Sequence, residues 1–418
     1  MLYKLNVIRT PLDAHRLLAP ANAAYNRNGP IARCLNGTRE MLIAKIERWV
    51  DEDSDLPICW LRGPAGSGKS AVSQTIGEYY HSRQQLAASF FFFRGTPNRS
   101  SIAPLVSTLA YQLSISVPAT RPLIHNVLRT DPFISQSALS HQFKKLMVEP
   151  ILEVENLPRA PMVIIIDALD ECDDRELMAE FLKVVIDACW ANHAFPFRVL
   201  LTSRVEDYLR RTLEAHAESI VYLLDLQHFD TSNDIHKFFQ SRFSTIYDEN
   251  QWRMEDISWP WPSNSEIDTL VNWAGGSFLL ATELTNRIND GTNAPHQTLR
   301  DELRAITNPR RPCWCGLVRV IRRSPRLPSG QIAARQSSSH VHSAPSVSGV
   351  INKAQTQRLS RNQTESSAFM PSDISDPQQV SQAQGGSIEL APLESLIENL
   401  IAGFSCEPIT LQFCHLSC

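Results

Sequence analysis

The stretch Gly63-Pro64-Ala65-Gly66-Ser67-Gly68-Lys69-Ser70 satisfies the pattern G-x-x-x-x-G-K-[ST]. Glycines at this spacing let backbone N–H groups converge on phosphate oxygens, and a following helix adds the partial positive charge of its N-terminus. Lys69 would bring a full charge to the β- and γ-phosphates of ATP or GTP, and the Ser70 hydroxyl would serve Mg²⁺. A second chemical element is MVIIIDALDEC. Asp167 closes an apolar run, which places it at the sheet edge beside the phosphate loop, where a carboxylate holds the Mg²⁺ shell. Asp170 and Glu171 follow within one turn, and either could orient or deprotonate an attacking water. The third element is RVLLTSR. Ser203 and Arg204 end a strand expected to neighbour that of Asp167, with Arg204 as a sensor of the γ-phosphate. Arg94 and Arg99, after another strand, are further candidates. Each element also has a plainer reading, as a glycine-rich turn, a solvated acidic turn or a surface arginine. Their joint occurrence favours the chemistry.

These residues need elements to hold them. PICWL, LAASFFFF (86–93), MVIIID (162–167), RVLLTS (198–203) and SIVYLL (219–224) read as strands. The continuous β-branched run of the third is expected of a parallel strand covered on both faces. Helical spacing appears in TREMLIAKIERWVDED (38–53), with Thr38 as N-cap, then over 69–82, in two or three pieces over 102–148, and over 175–190. Strands alternating with helices predict an α/β fold, a P-loop NTPase doubly wound parallel sheet. Only helices are visible over 231–306. The expected domains are an irregular leader over 1–33, a nucleotide-binding domain over 34–228 and a small all-α domain over 229–306. A low-complexity tail over 307–418, rich in Ser, Gln and Pro, is expected to be mostly disordered. Within that tail, PLESLIENLIAG suggests a short helix over 392–402, with chance patterning as the other reading.

Composition removes several function classes. With 418 residues and 43% apolar content, a sizeable core is available. A formal net charge of −4 argues against a strongly basic nucleic-acid binder. The arginine-rich stretch over 304–335 has little aromatic interleaving, so nucleic acid is an unfavoured partner. No run of about 18 apolar residues exists, so no membrane span is expected. The first residues do not read as a secretory signal. The nine cysteines are scattered without zinc-type spacing, which fits a reduced, cytoplasmic protein.

Seven ordered motifs carry a resemblance: CLNGTRE, WLRGPAGSGKS, SFFFFRG, STLAYQL, IIIDALDEC, LLTSR and WPWP followed by LVNWAGGSFLLA. Over about residues 34–305 the chain resembles the fungal NACHT-domain proteins, of the STAND class of signal-transducing P-loop NTPases. The resemblance implies an ATP- or GTP-driven switch with slow hydrolysis, whose states differ in how the helical region packs on the sheet. It also implies self-association or association with related NACHT proteins, and roles in non-self recognition or regulated cell death. It assigns Gly63 to Ser70 to the Walker A loop, Asp167 with Asp170 and Glu171 to the Walker B region, and Arg204 to the sensor arginine. Gly37, Thr38 and Arg39 would approach the base. Ser277 stands where the family has an apolar residue. Relatives continue into a winged-helix region and a repeat domain, so the expectation is a chain truncated after the helical domain. The alternatives are a non-enzymatic nucleotide-binding module derived from such a switch, and an ordinary P-loop kinase.

Overall fold

Five short apolar runs become five parallel strands because each can bury both of its faces. They are β1 (Ile58–Arg62), β2 (Leu86–Phe91), β3 (Met162–Asp167), β4 (Phe197–Ser203) and β5 (Val221–Asp225), in the spatial order β2-β3-β4-β1-β5. Every neighbouring pair is parallel. The computed structural model describes residues 18–308 except 30, 53–54, 156–159, 192–195 and 218. All described residues lie in one compact unit. The expected tail, its short helix over 392–402 and the arginine-rich stretch after 308 lie outside the described residues.

The two-residue period of a strand sorts its side chains between two cores. Ile58, Trp60, Phe90, Ile164, Ile166, Val199 and Leu201 point into one cluster. Cys59, Leu61, Phe91, Val163, Ile165 and Leu200 point into the other. The second face is covered by α1 (Glu40–Asp51), through Leu42, Ile46 and Trp49, and by α2 (Lys69–Ser82), through Val72, Ile76 and Tyr80. The first face is covered by α3 (Leu105–Ser116), α4 (Arg121–Thr130), α5 (Arg175–Ala191) and α6 (Asp207–Glu214). The chain therefore leaves β1 toward one face and leaves β4, its neighbour, toward the other. That reversal opens a crevice at the carboxyl ends of β1 and β4, where ligands bind in open α/β sheets.

Four further helices build their own core: α7 (Ser232–Glu249), α8 (Asn264–Ala274), α9 (Phe278–Ile288) and α10 (Pro295–Thr307). Phe239, Phe243, Leu270, Leu284 and Leu299 are buried there. α8 starts with a full capping box between Ser263 and Glu266. No helix among the described residues is long and apolar enough to cross a membrane.

Two local expectations are corrected. Thr38 does not cap α1; its hydroxyl donates to the Leu35 carbonyl at 2.6 Å, closing the turn before the helix. The N-cap is Arg39, at φ 58° and without a side-chain cap bond. The segment read as an irregular leader has almost no regular structure over its described residues, yet it is not loose. Leu18 and Ala23 are buried, Ala23 O accepts from Phe91 N at 2.8 Å, and Tyr25 N donates to Ser89 Oγ at 2.9 Å. It forms a strap along β2 and α2.

Candidate nucleotide site

The loop between β1 and α2 is tied to its strand and to itself. Gly63 N donates to Ser203 O on β4 at 3.3 Å, and Ser67 Oγ donates to Pro64 O at 2.9 Å. Gly68 precedes the helix at φ 87°, a conformation that favours glycine. No side chain caps α2, so its first-turn N–H groups remain open to the cleft lined by Gly66, Gly68, Lys69 and Ser70. The Lys69 ammonium donates to the carbonyls of Gly63 and Pro64, both at 2.9 Å. Burial pulls its pKa down, and Asp170 and Asp167 push the other way.

The acidic element sits two strands away, because β4 lies between β1 and β3. Asp167 nevertheless reaches the helix that follows the loop, and its charge acts on Lys69. Its Oδ1 accepts from Ser73 Oγ at 2.8 Å and from Thr202 Oγ1 at 2.5 Å. Ser73 lies one turn further along α2 than Ser70, which lines the cleft. Asp167 Oδ2 carries no hydrogen bond among the described residues, so a serine hydroxyl and a carboxylate oxygen are available. Such hard oxygen donors suit Mg²⁺, which keeps most of its waters in these sites. The next residue, Ala168, has φ 60° and ψ 50°. A left-handed alanine costs about 1–2 kcal/mol, and here it turns the chain so that Asp170 and Glu171 come to line the cleft.

Those two carboxylates have different fates. Asp170 is nearly buried, and Arg204 binds it twice: N to Oδ1 at 2.8 Å and Nε to Oδ2 at 2.5 Å. Burial alone would raise this carboxyl, but Arg204 and Lys69 hold it below the ordinary carboxylate range. Arg204 is thus clamped by Asp170. Glu171 Oε2 accepts from the Arg94 backbone N at 2.9 Å, while Arg94 Nη2 donates to the Asp170 carbonyl at 2.7 Å. Ser203 turns away; its hydroxyl accepts from Trp60 Nε1 at 2.8 Å in the core.

A depressed folded pKa means that the Asp170–Arg204 pair stabilises the fold above the unfolded carboxylate pKa of about 3.9. That contribution is lost as pH falls through the folded value. Because the Arg204 side chain is 37% exposed, Asp170→Asn is expected to cost only about 1–2 kcal/mol at pH 7. The difference between wild type and variant in guanidinium midpoint should shrink as pH falls below about 3.9 and on through the lower folded value. A gap independent of pH would show that the pair is not the cause.

The cleft, about 910 Å³, extends beyond the expected residues. One wall is the strap, from Arg27 to Arg39; another is the helical region, through Phe238, Phe278 and Leu279. Arg39 joins them. Its Nη2 donates to Ser67 O at 2.6 Å, its backbone N donates to Asp234 Oδ2 at 3.1 Å, and its guanidinium lies 5.1 Å from the Phe278 ring centre. Nε and Nη1 of Arg39 are buried without a hydrogen-bond partner. Unsatisfied buried donors beside a phosphate loop fit a polar ligand in the cleft. The helical region also grips the loop directly. The amides of Phe278 and Leu279, at the start of α9, donate to the Gly66 carbonyl at 2.9 and 3.3 Å. Ser277 accepts from Leu280 N as the N-cap of α9, which explains a serine in an otherwise apolar motif. The strap carries no periodicity to signal it, and the sequence does not show where the helical region meets the loop.

Residues 37–204 match the family described as Nephrocystin 3, N-terminal. No curated protein matches the chain. Among solved structures, a Walker-type ATPase of Pyrococcus abyssi is similar at 14% identity and TM-score 0.42, over 72% of this chain and 80% of that one. C. elegans PCH-2 is similar at 12% identity and TM-score 0.34, covering 63% of this chain and 66% of that chain, just under two thirds. A chain from the Drosophila ORC bound to DNA shows 14% identity and TM-score 0.35, over 65% and 68%. These scores are low; the strand order and the glycine-rich loop themselves define the P-loop fold here.

Proposed function

We propose that the chain is a nucleotide-dependent switch of the NACHT/STAND type, binding ATP or GTP with Mg²⁺ and hydrolysing it slowly. The observation that carries the reading is the pair of hydrogen bonds that the amides of Phe278 and Leu279 on α9 donate to the Gly66 carbonyl. The loop built to hold phosphates through its N–H groups is also the surface on which the helical region docks, through the Gly66 carbonyl, so a change in loop geometry on phosphate binding would be passed to α9. In this reading Gly63 to Ser70 wrap the phosphates and Lys69 exchanges two loop carbonyls for phosphate oxygens. Ser70 and Asp167 hold Mg²⁺, which would neutralise charge on the phosphates when bound. Glu171 orients the attacking water, a role that Asp170, spent on Arg204, is poorly placed to take. Arg204 senses the terminal phosphate by exchanging part of its grip on Asp170, and Arg39 meets the base side of the cleft. Self-association or association with related NACHT proteins, a cytoplasmic setting and a part in non-self recognition or regulated cell death belong to the same proposal.

A second reading, an inert nucleotide-binding module, is favoured by the internal engagement of Lys69 and Asp170. Glu171→Gln separates the two. Removing a general base costs about 10²–10⁴-fold in turnover, so the switch should retain triphosphate where the wild type carries diphosphate. Chromatography of nucleotide released from both proteins reads the outcome; identical diphosphate content would leave the inert module standing.

A further inference from the structure

We propose that Arg27 and Arg99 form a second phosphoryl-anion site in the cleft, on the flank of Glu171 opposite Arg204. The inference rests on the nucleotide-switch reading and adds to it a pair of residues on the strap and after β2.

The strand order sets the placement. Arg204 follows β4 and Arg99 follows β2, so the two flank the turn after β3 that carries Asp170 and Glu171. Both Arg27 and Arg99 line the same cleft as Lys69. Each is anchored by part of its guanidinium. Arg27 lies 4.0 Å from the Phe91 ring centre and donates through Nη1 to Gln74 Oε1 at 2.9 Å. Arg99 lies 5.0 Å from the Phe93 ring centre and donates through Nε to Phe91 O at 2.9 Å. Arg27 Nη1 also donates to Ala24 O at 3.3 Å; Nε and Nη2 of Arg27 and both Nη atoms of Arg99 take no hydrogen-bond partner among the described residues.

Neither guanidinium makes an ion pair among the described residues. The carboxylate on α2 beside Arg27, Glu78, is held by Arg33 at 2.8 Å. Two half-buried like charges thus sit near each other. Burial and the neighbouring Arg99 together bring Arg27 down to about 10. Burial likewise lowers Arg99, against Glu171 and Asp167. Asp167 attracts both guanidinium groups and Glu171 attracts Arg99, but neither carboxylate comes within ion-pair distance, and like charges so placed are costly unless an anion joins them. Arg204 is already matched by Asp170, so this pair supplies the unmatched positive charge at that end of the cleft. Planar guanidinium forks suit phosphate oxygens. The anion is either the terminal phosphate of a bound triphosphate or the inorganic phosphate released from it.

The test uses the full-length chain and its Arg27→Gln, Arg99→Gln and Arg27→Lys variants, with Mg²⁺. Calorimetric titrations use ADP and β,γ-imido-ATP, then the guanosine pair, and ADP with added inorganic phosphate. If the pair holds the terminal phosphate, both glutamine variants should bind the imido triphosphate about 10–100-fold more weakly. Diphosphate affinity should change less than about twofold, and Arg27→Lys should recover part of the loss. If it holds released phosphate, inorganic phosphate should tighten ADP binding in the wild type, and the variants should lose that effect. Equal loss for di- and triphosphate, or no loss in either arm, overturns the site. Thermal melting excludes misfolding, and Arg27→Gln guards against the backbone role of Arg99. A wild type that binds no nucleotide of either base overturns the switch reading itself, an outcome distinct from normal binding in the variants.

Discussion

Replacing Lys69 with alanine is expected to weaken nucleotide binding by at least about a hundredfold. The chain should then purify without the nucleotide that the wild type releases on denaturation. The ammonium is the one full charge inside the loop, and it stands 2.9 Å from two loop carbonyls. Those carbonyls are neutral acceptors, whereas phosphate oxygens form charge-assisted bonds of roughly twice the strength. Exchange therefore favours phosphate, and low local dielectric enlarges the difference. Alanine removes the charge and leaves the Gly63 and Pro64 carbonyls pointing into a phosphate path, where they repel it. Lys69→Met is the companion variant, because it keeps most of the apolar stem. Equal loss in both would assign the effect to charge; retention of nucleotide in both would show that the backbone cradle suffices and would demote the lysine.

Gly66→Ala is the second large effect. Two costs add. At φ 72° an L-residue pays about 1–2 kcal/mol. The added Cβ would lie 2.6 Å from Leu279 Cβ and 2.8 Å from Ser277 Oγ, and such overpacking costs about 1–3 kcal/mol. Neither neighbour can step aside cheaply, because Ser277 caps α9 and the Leu279 N–H donates a hydrogen bond to the Gly66 carbonyl. The helical region should detach from the loop before the sheet unfolds. The expected result is a lower melting temperature with faster proteolysis within 229–306. Gly95→Ala is the matched control: its φ is 91° and nothing lies within 4 Å of an added Cβ. It pays only the backbone cost, so the difference between the two variants isolates docking. Equal destabilisation would mean that α9 does not hold the loop.

The sheet was legible because a strand buried on both faces has to be apolar along its length, as MVIII before Asp167 is. Its order was legible only in part: β3 and β4 are neighbours as expected, but the insertion of β4 between β1 and β3 depends on crossovers that no local pattern records. That single insertion explains why Asp167 meets Thr202 of β4. Composition showed the acidic pair at 170 and 171, but not that Arg204 would claim one member and leave Glu171 on the cleft wall. Thr38 misled because a hydroxyl can bond backward to a carbonyl as readily as forward to an amide, and here the backward bond wins. The strap was invisible for the opposite reason. Its contacts are made mostly by backbone atoms and by single polar side chains such as Arg27 and Tyr25, which leave no periodic trace.

The cleft draws its walls from both ends of the described chain, from Arg27 and Asn28 to Thr282 and Asn286. On a growing polypeptide the strap emerges before the edge strand it must lie against. The helices that face it across the phosphate loop arrive last. Contacts of such large sequence separation form late and slowly, so a chain released before α9 is made has a phosphate loop with one side missing. Nucleotide can then act as a ligand of the finished fold and not as a template for an early intermediate. Addition of nucleotide should accordingly slow unfolding while leaving the refolding rate nearly unchanged.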